Sequence, residues 1–140
     1  MAGYSGTSLV KKLGLKENFR TRIIHAPANY FELLSDLPDG IKIMKTKGKE
    51  LDFVHLFSKE AKELNQLIPE LRKELVSNGM IWVSWPKKSS KIPTDVTEDV
   101  IRAIAFQNGL VDIKVCAVDE IWSGLKLVIR VKNRMDKRNT

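Results

Sequence analysis

The chain has 140 residues, of which 43% are apolar and 29% charged, as expected for one soluble globular domain. Twenty-four basic and 17 acidic residues give a net charge of +7. The single cysteine, Cys116, excludes an intrachain disulfide, and one cysteine with two histidines argues against a structural zinc site. No apolar run reaches the roughly 20 residues of a membrane helix, and the polar first residues do not form a signal peptide, so we expect a cytoplasmic protein without membrane contacts.

The first part of the chain predicts short helices and strands in alternation. Thr7 or Ser8 can cap a helix over Leu9–Leu13, which Gly14 would end. A strand over residues 20–26 is stopped by Pro27. A short helix over 29–34, a brief strand over 41–44 and a longer strand over Leu51–Phe57 follow.

A long amphipathic helix is predicted next, with Ser58 as its cap. Its apolar residues recur with the helical period: Leu64, Leu67, Ile68, Leu71 and Leu75. Pro69 predicts a kink or a break, and Asn78-Gly79 predicts the helix end with Gly79 at positive φ. The apolar run over 80–85 is typical of a buried central strand.

The last part of the chain predicts a loop, a helix and a hairpin. The loop spans residues 87–94, and Asp95 opens the helix with Glu98 as its capping-box partner. Gly109 ends this helix at positive φ. Two alternating strands then surround a turn over 119–124, one with Val111, Ile113, Val115 and Ala117 facing one way, the other with Leu125, Leu127, Ile129 and Val131. Residues 133–140 form a charged tail, so one domain spans 1–132.

This order of elements predicts an α/β fold. Strands that alternate with helices are joined by crossovers, which build a mostly parallel sheet with helices on both faces. The final hairpin adds an antiparallel strand. We therefore expect a three-layer, Rossmann-like sheet of the methyltransferase type with a C-terminal antiparallel hairpin, an analogy of fold that does not define the chemistry.

The nucleotide-binding signatures of such folds are not found in the sequence. The turn after the first strand, His25-Ala-Pro-Ala-Asn29, has no glycine, and Pro27 removes an N–H. The second strand runs into Lys45 rather than an acidic residue that would hold a ribose, and no P-loop pattern occurs. We therefore expect no cofactor: neither S-adenosylmethionine nor a nicotinamide dinucleotide. These observations disfavour an enzyme.

Three segments resemble a known bacterial family. They are Gly3-Tyr-Ser-Gly-Thr-Ser8 with Lys11-Lys-Leu-Gly14, the stretch from Trp85 to Arg102, and the stretch from Gly109 to Arg130. Together they resemble the domain of unknown function 3052 over nearly the whole chain, although Ser8 stands where that family is expected to have proline. The resemblance implies a single bacterial cytoplasmic domain without an added catalytic module, and it implies no activity.

A site in such a sheet is expected at the carboxyl ends of its strands. Four segments should meet there: residues 25–29, 58–60, 87–95 and 119–124. The candidate ligand-binding residues at this rim are His25, Lys87, Lys88, Ser89, Thr94, Asp95, Asp119, Glu120, Trp122 and Ser123. No catalytic and no metal-binding residues are assigned.

Each candidate also has a structural interpretation. Thr94 and Asp95 are good helix caps, and Asp119 and Glu120 can shape the turn. Lys87 and Lys88 are either solvated or hold an anion at the helix that Asp95 opens. Trp122 either covers the end of the core or forms a binding platform. His25 and His55 are interpreted as structural, and Cys116 as a packed thiol.

Three functions remain open. The preferred hypothesis is a non-catalytic domain that binds a small anionic ligand or a protein partner at the rim. The second is a degenerate transferase, with Asp95, Asp119 or Glu120 as base and Lys87 or Lys88 stabilising an anion. The third is a nucleic-acid accessory protein that uses its lysine clusters, which few aromatic residues accompany.

Overall fold

The structure is a computed structural model that describes residues 8–132. The predicted tail over 133–140, the alternative cap Thr7 and most of the Gly3–Ser8 motif lie outside the described residues. Four α-helices are present in this part of the chain: α1 (Leu9–Leu13), α2 (Tyr30–Leu33), α3 (Ala61–Glu74) and α4 (Glu98–Gln107). Within residues 8–132, no helix is long and apolar enough to cross a membrane.

Six strands form one sheet in the order β2-β1-β3-β4-β6-β5. The strands are β1 (Arg20–Ile24), β2 (Lys42–Met44), β3 (Leu51–Phe57), β4 (Leu75–Pro86), β5 (Leu110–Ala117) and β6 (Trp122–Ile129). The first four are mutually parallel, while β6 runs antiparallel to β4 and β5 antiparallel to β6. The predicted mostly parallel sheet with a C-terminal antiparallel hairpin is confirmed.

Helices cover both faces of this sheet. α3 and α4 pack their apolar residues, including Leu64, Ile68 and Ile101, on one face. α1 and α2 cover the other face, where Leu13 and Tyr30 are buried. Strand β3 contributes to both layers because successive side chains point to opposite faces. This double burial explains its nearly continuous apolar sequence.

The first helix matches its prediction. The Ser8 hydroxyl accepts the N–H of Lys11 at 3.3 Å, and Gly14 follows with φ of 82°. Gly14 donates its N–H to the carbonyls of Val10 and Lys11, so the end of the helix is capped.

The long helix differs from its prediction at both ends. It begins at Ala61 with Glu60, and not the predicted Ser58, at the N-cap position, and it continues through Pro69 without a break. Packing of its apolar stripe on one sheet face offsets the hydrogen bond that Pro69 removes. It ends at Glu74, because Leu75 already belongs to β4.

The prediction that Gly79 ends this helix at positive φ is therefore wrong. Gly79 lies inside β4. Among the described glycines, Gly14, Gly40 and Gly109 have positive φ, and Gly79 does not. The register between β3 and β4 shifts here, from Leu51 opposite Leu75 to Phe53 opposite Met80. A Cβ at Gly79 would lie 2.8 Å from the carbonyl oxygen of Leu51. The glycine serves a close approach of two strands instead of a left-handed turn.

The predicted start of α4 is also wrong. The helix begins at Glu98, and Thr97 caps it by accepting the N–H of Val100 at 3.2 Å. Asp95 instead accepts the N–H of Ala61 at 2.7 Å and so caps α3 across 34 residues of sequence. At the other end, Gly109 has the predicted positive φ, 75°.

The hairpin is confirmed, but its facing pattern is not. Asp112 lies opposite Leu127 and Lys114 opposite Lys126, so β5 carries one extra residue, Ile113. Such a bulge reverses the side-chain alternation of the strand beyond it. Val111 and Val115 therefore point to opposite faces, contrary to the prediction. The turn is also shorter than predicted, because β6 already begins at Trp122.

Candidate functional site

A cavity lies where the strand order of the sheet reverses. Strand β1 pairs with β2 on one side and with β3 on the other. The cavity, of about 470 Å³, opens between the carboxyl ends of β1 and β3, the position where open α/β sheets bind ligands. The residues that line it lie at or just after the ends of these strands, in the first turn of α3 and at the start of β6. They are His25, Phe57, Ser58, Lys59, Glu60, Glu63 and Trp122.

His25 enters this cavity from an unusual backbone conformation. It follows β1 with φ of 57°, a region that costs a non-glycine residue about 1–2 kcal/mol. Its Nδ1 lies 3.1 Å from Oε2 of Glu63, while 58% of its side chain remains exposed. Strain of this kind is concentrated at functional sites.

Ser58 connects the end of β3 to the same carboxylate. Its hydroxyl donates to Oε1 of Glu63 at 2.6 Å, and its Oγ accepts the N–H of Glu60 at 3.2 Å. The Glu63 carboxylate is therefore held on one oxygen by Ser58 and faces His25 with the other. The carboxylate thereby orients the imidazole at the edge of the cavity.

The turn that carries Lys59 and Glu60 is fastened from outside as well. Thr94 donates its hydroxyl to the carbonyl of Lys59 at 2.7 Å, and Asp95 holds the N–H of Ala61. Both predicted residues thus act as structural supports of the cavity. The side chain of Lys59 makes no ion pair within residues 8–132.

An aromatic wall closes the side of the cavity towards the hairpin. The rings of Phe57 and Trp122 meet edge to face with centroids 5.1 Å apart. Trp122 is only 9% exposed, so it covers the end of the core and lines the cavity at the same time. Asp119 holds this wall in place, since its Oδ1 accepts the N–H groups of Ile121 and Trp122 at 2.8 Å each.

A buried polar chain supports the wall from below. Nδ1 of His55 lies 2.8 Å from the Tyr30 hydroxyl, and its Nε2 lies 2.8 Å from the Ser84 hydroxyl. The His55 ring stacks on Phe57 at 4.2 Å. Burial lowers the pKa of His55 to about 3 and raises the pKa of Tyr30. A neutral imidazole with both nitrogens partnered has the structural role that the sequence predicts for it.

Of the ten predicted candidates, the structure brings two to the cavity, His25 and Trp122. Thr94, Asp95 and Asp119 support it through hydrogen bonds, as described. The remaining five do not line it: Lys87, Lys88, Ser89, Glu120 and Ser123. Lys88 and Ser89 are exposed in a short 3₁₀-helix, Lys88–Ser90, and Ser123 lies within β6 opposite Trp85.

The free thiol behaves as predicted. Cys116 is half-buried and packs against the core beneath α1. Burial raises its pKa, although Lys12 and Lys114 act in the opposite direction. A packed thiol of this kind is a poor nucleophile.

Sequence reasoning missed Phe57, Ser58, Lys59, Glu60 and Glu63 as site residues. The signal for Ser58, Lys59 and Glu60 is present, because the segment 58–60 is predicted to lie at the rim. In the sequence, Glu63 is one of the balanced charges of an amphipathic helix. Only its position one turn into α3, facing the end of β1, reveals its role.

The fold family implies S-adenosylmethionine, but the residues at this rim do not match such a site. The strained position after β1 holds an imidazole engaged with Glu63 where close approach of a ligand to the backbone needs glycine. Strand β2 ends at Met44, opposite Arg22, and so stops two residues before β1 does. Lys45 follows it directly, in place of a carboxylate that would hold a ribose. Within the described residues, no cluster of His, Cys, Asp or Glu is suited to a metal ion.

Solved structures with the same fold are numerous. The chain is similar to an S-adenosylmethionine-dependent methyltransferase from Aquifex aeolicus, with a TM-score of 0.62, 15% identity and coverage of 86% of this chain and 87% of the other. It is similar to magnesium protoporphyrin IX methyltransferase from Synechocystis PCC 6803, with a TM-score of 0.57, 14% identity and coverage of 86% and 78%. It is also similar to a protein of the NADB-Rossmann superfamily from Streptococcus agalactiae. The TM-score is 0.55 and the identity 9%, and the match covers 86% of this chain and 67% of the other.

Comparison of the sequence finds no counterpart: no family model and no curated protein matches it. Identities of 9–15% establish a common fold and leave the chemistry undefined. The chain is a Rossmann-like α/β domain with the methyltransferase-type fold.

Proposed function

We propose that this protein is a ligand-binding domain that holds a small anionic molecule in the cavity between the ends of β1 and β3. The cavity itself carries this proposal, because it lies at the switch point of the sheet and joins polar groups to an aromatic wall. Lys59 supplies a positive charge that has no ion-pair partner among the described residues.

The lining also restricts the chemistry of the ligand. Both carboxylate oxygens of Glu63 already have partners, Oε1 in the Ser58 hydroxyl and Oε2 in Nδ1 of His25. Glu60 places a second carboxylate at the edge, where it favours an additional ammonium group on the ligand. Phe57 and Trp122 suit a flat apolar portion. A small carboxylate with an aromatic part, with or without an amino group, fits these features.

Three probes of similar shape and different charge test this proposal. Phenylpropionate, phenylalanine and phenylethylamine are titrated at millimolar concentration while the indole signal of Trp122 is followed by NMR. We expect phenylpropionate and phenylalanine to shift this signal and phenylethylamine to leave it unchanged. Strongest binding of phenylethylamine, or no shift with any probe, would contradict an anion site.

Three variants, two at the cavity and one control away from it, locate the binding. Lys59→Gln should abolish the shift, whereas Lys88→Gln removes an exposed lysine that does not line the cavity and should preserve it. His25→Gly removes the imidazole at a φ that suits glycine, so the fold should persist while binding weakens. An equal decrease in Lys59→Gln and Lys88→Gln would indicate a general charge effect.

A degenerate transferase is the second candidate, and the His25–Glu63 pair favours it. Asp95 and Asp119 hold backbone N–H groups, so His25 is the better candidate base. The test is transfer of a labelled methyl group from S-adenosylmethionine to a cell extract by the wild type and by His25→Gln. Transfer that is abolished in the variant would favour the enzyme over the binding domain.

The same rim could serve a protein partner. The ligand titrations discriminate this alternative, because a protein-docking surface would not depend on the charge of a small probe. We also keep the membership in the domain of unknown function 3052 and a cytoplasmic location as proposals from the sequence.

A further inference from the structure

Two lysines oppose each other in the hairpin, four residues along β6 from Trp122. Lys114 of β5 lies directly opposite Lys126 of β6. Like charges in this position destabilise an antiparallel pair. Local rules of this kind are broken mainly where function requires it.

The end of α1 lies over this pair, and its carbonyl groups are already satisfied. Gly14 donates to the carbonyls of Val10 and Lys11, Lys114 Nζ donates to the carbonyl of Lys12 at 3.1 Å, and Trp82 Nε1 donates to that of Leu13 at 2.8 Å. The helix end therefore explains one lysine, Lys114. The carbonyls of residues 10–13 each accept a hydrogen bond already.

Lys126 lies close to other positive charges. The ammonium of Lys126 lies beside the helix end, 3.8 Å from where a Cβ of Gly14 would be. Burial and the charges of Lys114 and Lys16 lower the pKa of Lys126. Within residues 8–132, none of Lys12, Lys16, Lys114 and Lys126 forms an ion pair with a carboxylate. We call these four residues the lysine cluster.

We propose that the lysine cluster binds the phosphate backbone of nucleic acid. An anion between Lys16, Lys114 and Lys126 would convert their mutual repulsion into attraction. The lysines are point charges on flexible stems, and Lys16 and Lys114 are exposed, which suits a line of phosphates. The backbone N–H groups that cradle a single phosphate at a helix N-terminus are not offered here, because the end of α1 presents carbonyls. The binding is independent of base sequence, since these four residues supply no group suited to reading base edges in a fixed geometry.

Fluorescence anisotropy with a labelled DNA duplex and the full chain tests this proposal. The binding constant is measured over a range of salt concentrations for the wild type and for Lys16→Gln/Lys126→Gln. This variant keeps the bond of Lys114 to α1. We expect the slope of log K against log salt to decrease by about 1.8, or about 0.9 for each phosphate that is no longer neutralised. Lys16→Gln alone, at an exposed position, should lower it by about half as much.

The matched control is Lys47→Gln/Lys49→Gln. Both lysines are exposed in the loop after β2, at the opposite end of the sheet, and the variant has the same net charge. We expect it to retain the wild-type slope. Equal decreases in the two double variants would overturn the proposal, as would a wild type that does not bind at low salt. Competition by polyglutamate as strong as by unlabelled DNA at equal charge would overturn the assignment to phosphate.

A measurement without nucleic acid provides a second test. Removing one member of a repelling pair should stabilise the free protein, so Lys126→Gln should raise the thermal midpoint at low salt. The increase should disappear at about 1 M salt, where screening leaves interactions only over about 3 Å. A midpoint that falls at low salt would show that Lys126 has a stabilising partner and would contradict the proposal.

Discussion

At the scale of single residues, two buried networks of polar side chains stand out within residues 8–132. His55 and Ser84 are fully buried and form one chain with Tyr30. Glu74 is 4% exposed and receives both Nη1 of Arg22 and the N–H of Gly48. An unpaired polar group in these places would cost about 1–3 kcal/mol. Both networks therefore make the stability sensitive to single substitutions.

The first prediction concerns the pH dependence that His55 creates. The folded protein holds His55 neutral with a pKa of about 3, against an ordinary value of 6.5. Between these values the unfolded chain binds a proton that the folded chain does not, so stability falls as the pH decreases through this window. Over the full window the contribution is about 5 kcal/mol. Urea titrations of the wild type and His55→Gln should show a difference in unfolding free energy that narrows from pH 7 to pH 4. A constant difference would show that His55 does not titrate on unfolding.

The second prediction concerns the ion pair beneath β1. Nη1 of Arg22 lies 3.0 Å from both carboxylate oxygens of Glu74. Glu74→Ala leaves a largely buried guanidinium without its partner and should destabilise the fold by about 3–5 kcal/mol. Glu70→Ala on the same helix removes an exposed pair with Lys73 and should change stability by less than about 1 kcal/mol. Similar effects of the two substitutions in chemical denaturation would refute the distinction.

At the scale of elements, glycine has two different roles. Gly109 permits a left-handed turn between α4 and β5, with φ of 75°. Gly79 permits a close approach between β4 and β3. Glycine therefore follows the end of a helix in one case and lies inside a strand in the other.

Gly79→Ala should destabilise the protein by about 1–3 kcal/mol, because its Cβ would meet the backbone of Leu51 at 2.8 Å. The neighbouring Asn78 is exposed, and Asn78→Ala should change stability by less than about 0.5 kcal/mol. Midpoints of urea unfolding compare the two. An unaffected Gly79→Ala would mean that β3 and β4 separate at little cost.

Gly109→Val places a β-branched residue at positive φ and should cost about 1 kcal/mol or more. Thermal unfolding measures the decrease in stability. An unchanged midpoint would contradict the left-handed turn between α4 and β5.

At the scale of the whole molecule, the fold is a common one, but the residues at the carboxyl ends of its strands differ from those that a nucleotide site needs. The sheet keeps the topology of methyltransferases, with a TM-score of 0.62 to one of them. Its cavity, however, is lined by His25 and Glu63 where a nucleotide would need a glycine turn. The outer strand β5 carries a bulge and Lys114, two features that discourage pairing with another sheet edge. The shared frame and the changed rim are thus separate properties.

The altered rim predicts the response to nucleotide cofactors. We expect neither S-adenosylmethionine nor a nicotinamide dinucleotide to bind appreciably, because the turn after β1 lacks glycine and β2 stops short of the rim. Isothermal titration calorimetry measures this directly. Low-micromolar binding of either compound would contradict the prediction.

The order of elements and the class of fold could be predicted from the sequence alone. Alternating strands and helices require crossovers, and crossovers require a parallel sheet. The regular alternation over residues 111–117 and 125–131 likewise predicts a hairpin. Hydrophobic periodicity suffices to predict these elements. Each helix or strand has to bury an apolar face, and the spacing of its apolar residues shows which face this is.

Only the tertiary structure decided the site and several boundaries. Asp95 caps α3 instead of α4, and the bulge at Ile113 changes which side chains share a face. His25 meets Glu63 across 38 residues of chain, between the ends of two elements. Periodicity reports which face of an element is apolar, but it contains no information on the partner that a polar side chain finds on another element. The fold was therefore readable from local patterns, whereas the His25–Glu63 cavity existed only once β1 and α3 were packed together.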